Sequence, residues 1–279
     1  MKYKFLSLVK RDLIFGFKNN RNKLMSIFVL LIILTYFNVL SIDGQAFELG
    51  LDSENINFID LFFYIFKGID YSIAPLPINW ILINIYITYL IGSYCYDDLS
   101  EESFHMIVRM KNRKDIWASK VIWMVATILV FYLMLFLVIS IFSTIMLNNS
   151  LEWSEFSKRS ILNIIIKDYS SLKFILFTIL IYILSSMTLS IFQMLISFIV
   201  KPTYIYIANI CILAISLFLN KFLIPIQGSL ILRQNIFDAT YEIDPLNSII
   251  YNLMVFIIIF VMGIYYIRKM DILASQKTN

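Results

Sequence analysis

The chain has 279 residues, of which 60% are hydrophobic and 15% charged, with a net charge of +4 and a mean hydropathy of +0.80. That is too apolar for a soluble core with a wettable surface, so a water-soluble globular domain is excluded. What remains is an all-α, polytopic membrane protein. Six apolar runs, residues 24–42, 77–96, 121–147, 172–200, 202–220 and 246–267, carry no charge except Lys173 at a boundary. Each is long enough, or nearly so, to cross roughly 30 Å of hydrocarbon.

Residues 1–23 place Phe5, Val9, Leu13 and Phe17 four apart, while Lys4, Arg11 and Lys18 recur at seven. An apolar stripe opposite a basic one predicts an amphipathic helix lying in the headgroup region; a plain basic flank obeying topology rules is the simpler reading. The first apolar run exceeds the roughly 7–15 residues of a secretory h-region, and no small-x-small cleavage site follows it, so it is read as a retained helix. Residues 43–76 hold six acids and one base around a short apolar stretch, Phe58–Phe66, broken by Asp60 and followed by Pro75 and Pro77. The stretch is too short to span, and an interfacial helix is expected there.

The second run contains Asn84 and Thr88 and ends near Cys95; Cys211 lies inside the fifth, so the two cysteines imply neither a disulfide framework nor a metal site. Between the second and third runs stands a charged insert, residues 97–120. Asp98 with Glu101 three residues on, and Ser100 beside them, predict a capped helix over residues 99–110. Glu101 and Glu102 open it, and Arg109, Lys111, Arg113 and Lys114 close it, the order that complements a helix dipole. Phe104, Met106, Ile107 and Met110 have no reason to be apolar in a solvated loop. They suggest docking into a partner's groove, with an interfacial helix resting on lipid as the alternative.

Hydroxyl and amide side chains are densest in the fourth run, at Ser185, Ser186, Thr188, Ser190 and Gln193; Ser140, Ser143 and Thr144 lie in the third, and Asn209 and Asn252 later. Small hydroxyls at such spacing are mostly helix-packing contacts. Gln193 is the better candidate for a cavity, because a buried amide needs partners. Residues 148–173 and 221–245 are the remaining long connections; the latter, with Pro225, Gly228 and Pro245, predicts either a re-entrant excursion or a surface loop.

Orientation follows from the bases. With six spans, residues 1–23, 97–120, Lys201 and 268–279 share one side and hold 16 Lys or Arg, against 7 in residues 43–76, 148–173 and 221–245. The positive-inside rule puts both termini in the cytosol and the latter three segments outside.

The missing chemistry narrows the function. No GxxxxGK[ST] occurs, so the chain does not bind ATP through a P-loop. His105 is the sole histidine and sits in the charged insert, which excludes an intramembrane Ser–His protease. Glu101 and Glu102 evoke intramembrane proteases of the EExxxR type, but Met106 and Ile107 stand where arginine is needed. No ionisable group lies mid-span, which disfavours ion-gradient coupling.

The basic N-terminal arm, the six spans, the acid-led insert EESFHMIVRMKNRKDIWASK and the outer DPLNSI element before the last span together resemble the permease subunit of an ABC-type exporter, of the drug, polysaccharide and bacteriocin-immunity kind. The resemblance covers nearly the whole chain as one transmembrane domain. It implies a coupling helix in the insert that sits on a separately encoded ATPase through Glu101, Glu102, Phe104, Met106, Ile107, Arg109 and Arg113. It also implies a second permease, as a homodimer or paralogue, and a neutral, aromatic-rich substrate path for an amphipathic peptide, drug or lipid-like molecule. Asn84, Thr88, Gln193 and Asn209 are the path residues expected. ATP and magnesium would belong to the partner ATPase, and neither a catalytic group nor a metal site is expected on this chain. Membrane lipid is the other partner expected, and nucleic acid is not. The family commonly carries Gly-Thr after the acids and Pro before the basic turn, where this chain has Ser103-Phe104 and Met110-Lys111.

Two other readings are a peptide-immunity or sensor protein that works without an ATPase, and an intramembrane enzyme using Glu101, Glu102 and His105. The abundance of Ile, Asn, Lys, Phe and Tyr fits an AT-rich genome, which points to the plasma membrane of a low-GC bacterium.

Overall fold

The computed structural model describes residues 2–70, 76–92, 94, 113–161, 170–219, 224–237 and 241–269. Its helices are α1 (Lys2–Glu48), α2 (Phe58–Phe66), α3 (Ile78–Ile91), α4 (Arg113–Met146), α5 (Glu155–Ser160), α6 (Ser171–Ile196), α7 (Pro202–Phe218) and α8 (Pro245–Lys269), with single 3-10 turns at Ser53–Asn55, Gln227–Ser229 and Ile231–Arg233. Among the described residues there is no strand; isolated bridges join Asn57 to Asn148 and Gln234 to Ile243.

Four of these helices are long and apolar enough to cross a membrane: α1 over Phe5–Glu48, α4, α6 and α8. The other two expected spans are apolar but shorter, with 14 residues in α3 and 17 in α7, about 21 and 26 Å of helix. The most extensive packing is of α1 on α4 and of α6 on α8.

The direction of each helix follows from its contacts. At one end of the bundle, Asp12 of α1 meets Ser119 of α4, Asn20 of α1 donates to the Leu90 carbonyl at 2.9 Å, and Trp117 of α4 donates to the Phe260 carbonyl of α8 at 3.0 Å. At the other end, Trp80 near the start of α3 donates to Ser229 at 2.8 Å, and Tyr182 of α6 donates to the Phe66 carbonyl at 2.7 Å. The N-terminal part of α1 and the C-terminal part of α8 thus share one end. Two glycines permit the close approaches there. A Cβ at Gly16 would overlap the Trp123 indole, and one at Gly263 would overlap Trp117.

Several sequence expectations are corrected. The N-terminal arm is not a separate interfacial helix but the first turns of α1, which runs without interruption for 47 residues. No proline breaks it, and Asn20, in the polar stretch before the first apolar run, is buried and bonded to α3. The buried stripe is Leu8, Asp12, Gly16 and Asn20, displaced by one position toward the N-terminus from the row of the expected Phe5, Val9, Leu13 and Phe17. It packs on protein rather than on lipid.

The described part of the insert, residues 113–120, is helical. Helix α4 begins at Arg113, so these last eight positions of the insert are continuous with the expected third span.

The stretch Phe58–Phe66 is helical, as expected, but buried rather than interfacial: all its residues except Tyr64 are buried. A capping box accounts for its start. Asn57 Oδ1 accepts from the Ile59 N–H at 3.0 Å, and Asp60 Oδ2 accepts from the Asn57 N–H at 2.8 Å, satisfying donors that a helix start leaves free. Asp60 also accepts from the Ser157 hydroxyl, and Asn57 Nδ2 donates to the Glu152 carbonyl at 2.7 Å. Through these bonds the connection 148–173 is fastened to α2.

Burial pushes the Asp60 carboxyl above its ordinary value, against the bonds from Ser157, Ser154 and Asn57 that lower it. A raised folded-state pKa means that this group's contribution to stability is fully present below the ordinary carboxylate value and is lost as pH rises through the elevated one. Asp60→Asn is therefore expected to be within about 1 kcal/mol of wild type at neutral pH. It should also remove this component of the pH dependence. Thermal unfolding of both proteins in detergent, from about pH 4 to about pH 8, measures the difference.

The connection 221–245 is not a surface loop in its described part. Ile226, Gln227, Ser229, Leu230, Ile231, Arg233, Gln234 and Ile236 are all buried. The chain turns twice in 3-10 geometry, and its polar side chains bond inward. Gln227 Nε2 donates to the carbonyls of Ser216 and Leu219, and Gln234 Nε2 donates to that of Gly228 at 2.9 Å.

Candidate functional site

Glu101, Glu102, Phe104, Met106, Ile107 and Arg109, with the helix expected over residues 99–110 and His105, lie outside the described residues. Arg113 is described and is the first residue of α4. The residues at the two ends of the insert converge on α1. The fully buried Asp12 Oδ2 accepts from the Ser119 hydroxyl at 2.5 Å, and its Oδ1 pairs with Arg11 Nη2 at 2.6 Å. From the other flank, the Tyr94 hydroxyl donates to the Asp12 backbone carbonyl at 3.4 Å. Lys120, wholly buried, places its ammonium 4.9 Å from the Tyr94 ring centre, and that ring stacks on Trp123 with centroids 3.9 Å apart. Tyr94, just before the insert, and Ser119, at its end, are thus both bonded to one residue of α1.

About two turns further into the bundle lies a second polar group, which joins three of the four expected path residues. Asn209 Nδ2 of α7 donates to Gln193 Oε1 of α6 at 2.9 Å, and Gln193 Nε2 donates to the Thr88 carbonyl of α3 at 3.0 Å. All three are buried, and among the described residues Thr88 Oγ1 and Asn209 Oδ1 have no hydrogen-bond partner. A buried polar atom left in this state costs about 1–3 kcal/mol. Asn84, the fourth residue expected there, is not part of this group: its Nδ2 donates to the Trp80 carbonyl one turn back on the same helix at 2.8 Å.

Thr88 and Asn209 line a cleft of about 400 Å³ between α1, α3 and α7, whose other walls include Ile27, Leu30, Tyr89 and Tyr206. A larger groove of about 730 Å³ continues between α1 and α3 toward the opposite end, sharing Leu30 and Tyr86 with the first and reaching Tyr64, Lys67 and Asp70. Burial lowers the Lys67 ammonium below the ordinary lysine value, and its Nζ sits 3.9 Å from the Tyr64 ring centre. Chemically, the arrangement suits a molecule that is mostly apolar, with one neutral hydrogen-bonding group at the Thr88–Asn209 end.

Gln193 bridges three helices, so its replacement is expected to separate size from charge. Gln193→Leu should lower stability by about 1 kcal/mol, the scale of hydrogen bonds between membrane helices. Gln193→Glu should lower it by about 2.5–3.5 kcal/mol by placing a carboxylate among the same apolar walls. Thermal unfolding of the purified variants in one detergent ranks them.

The sequence pointed to Thr88, Gln193 and Asn209 but missed Asp12, Ser119 and Arg233. A signal for Asp12 was present, since it is the sole acid in the first 42 residues. No protein-family profile, curated protein or solved structure matches this chain.

Proposed function

We propose that this chain is the membrane-spanning permease subunit of an ATP-driven ABC-type exporter in a bacterial plasma membrane. It crosses the bilayer six times, with α3 and α7 completing the four long spans, and both termini and the insert face the cytosol. A separately encoded ATPase binds ATP and magnesium and docks on the insert, and a second permease completes the assembly. The substrate is amphipathic or hydrophobic, and it passes the Thr88–Gln193–Asn209 group.

The observation that carries this reading is the bonding of both ends of the insert, through Tyr94 and Ser119, to α1 at Asp12. In a chain without a P-loop, work has to enter from a partner. A push on residues 97–112 is delivered through Tyr94 and Ser119 to α1, which also forms one wall of the cleft. The base count favours the cytosolic side for that end of the bundle.

The test is purification of the assembly from native membranes with its ATP hydrolysis measured. Co-purified hydrolysis is expected for wild type and for His105→Ala, and is expected to be lost when Phe104 and Ile107 are both changed to Asp. Wild-type chain that carries no ATPase under these conditions would favour the ATPase-free immunity or sensor reading. Loss of function on His105→Ala alone would favour the enzyme reading.

A further inference from the structure

The groove between α1 and α3 has an asymmetry that identifies a ligand class. Its shaft is apolar, formed by Leu30, Ile33, Leu34, Phe37 and Leu82, and it opens sideways, since Ile33 and Phe37 are exposed on the outer surface of the bundle. Its mouth is polar. Asn38 and Asn79 exchange amide hydrogen bonds of 3.1 and 2.6 Å across it, and the Lys67 and Asp70 side chains lie beyond. Lys67 is half-buried, and among the described residues its ammonium has only the Tyr64 ring as a partner. A ring face is a weaker partner for a desolvated ammonium than an anion.

The length of the shaft is also informative. From Asn79 to Tyr89, α3 advances about 15 Å, which is half of the roughly 30 Å of hydrocarbon in a bilayer. The two cavities together cover that distance, because Leu30 and Tyr86 belong to the walls of both. A groove of one leaflet's depth, open sideways to lipid and with a cation at its mouth, matches the dimensions and charge of a single lipid.

We propose that the α1/α3 groove holds one acyl chain of an anionic membrane phospholipid, with the phosphodiester at the Lys67 ammonium. Asp70 in the same mouth favours a singly charged phosphodiester over a doubly charged head. The acyl terminus reaches the Thr88–Asn209 end, so the lipid occupies the same path as the transported amphipath. The inference rests on the membrane-crossing part of the function proposed above and needs no ATPase. A failure here leaves ATPase docking untouched, and a failure of docking leaves lipid retention measurable.

The experiment uses the full chain, purified alone into mixed micelles containing equal amounts of dioleoyl phosphatidylglycerol and dioleoyl phosphatidylcholine, with retained lipid counted by native mass spectrometry. Wild type is expected to retain phosphatidylglycerol preferentially. Lys67→Gln should cut that preference about tenfold, the loss of one charge-assisted contact, and Lys67→Arg should keep it. Because Lys67 is half-buried, a second variant guards against misfolding: Ile33→Trp, at a lipid-exposed position, narrows the shaft and should reduce retention of both lipids. Wild-type retention and headgroup preference in both Lys67→Gln and Ile33→Trp would overturn the proposal.

Discussion

Replacing Arg233 by Met is expected to destabilise the protein by about 3 kcal/mol, the scale of the two hydrogen bonds that its charged guanidinium gives to the end of α7. Arg233 is 3% exposed, and its guanidinium closes the end of α7: Nη1 donates to the Ser216 carbonyl at 2.9 Å, and Nη2 donates to that of Leu217 at 2.7 Å. A helix leaves its last carbonyls without intrahelical donors, and a cation there also offsets the dipole. The same side chain donates from Nη1 to Gln227 Oε1 at 3.0 Å and from Nε to the Asp70 carbonyl at 3.3 Å, so it fixes the twin 3-10 turns to α7 and to the end of the α2 connection. Methionine fills the volume but supplies no donor. Arg233→Lys should fall between, because one ammonium cannot reach carbonyls that a planar fork spans. The midpoint of thermal aggregation in detergent, read by fluorescence-detected gel filtration, should order the proteins wild type, Lys, Met.

The second large effect is expected at Asp12. Asp12→Leu keeps the site filled but removes the acceptor of both the Arg11 pair and the Ser119 hydroxyl. Arg11 is 28% exposed and can turn to water, so its charge is not stranded; Ser119 keeps its bond to the Ile116 carbonyl at 3.0 Å. The stability cost should therefore be about 2 kcal/mol, less than the 3–5 kcal/mol of breaking a fully buried ion pair. The functional effect should be larger than the structural one, because the variant unfastens the side of the insert that leads into α4 from α1. If the insert drives α1, Asp12→Leu should still bind the ATPase yet lose most of the coupling between ATP hydrolysis and substrate movement. Asp12→Glu, which keeps the charge, should retain a measurable part. Hydrolysis and transport measured on the same reconstituted assembly separate binding from coupling.

The helices were legible where hydrophobicity alone decides. The apolar runs alone placed α2 over Phe58–Phe66 and the starts of α7 and α8 within one residue of Pro202 and Pro245. What the sequence left hidden depended on tertiary contact. The period of residues 2–20 shows an apolar stripe at Phe5, Val9, Leu13 and Phe17, but burial chose Leu8, Asp12, Gly16 and Asn20, because a neighbouring helix supplies Ser119 and Trp123 there. The connection 221–245 reads equally as a re-entrant excursion or a surface loop, because the carbonyls that Arg233 and Gln227 find at the end of α7 are a tertiary contact. In the candidate path, Gln193 and Asn209 were recognisable as amides that need partners. Asn84 looked equivalent, but its carbonyl partner lies one turn back on its own helix.

If ATP bound by a separate subunit moves α1 and opens the cleft, the distance from α1 to α7 has to change with nucleotide state. With Cys95 and Cys211 changed to serine, spin labels at Ser26→Cys on α1 and Ile210→Cys on α7 report the distance across the cleft in the reconstituted assembly. A shift of several ångström is expected between the nucleotide-free and ATP-trapped states, absent without the ATPase and strongly reduced in Asp12→Leu. A distance that is the same in every nucleotide state, with the ATPase present and hydrolysing, would contradict it.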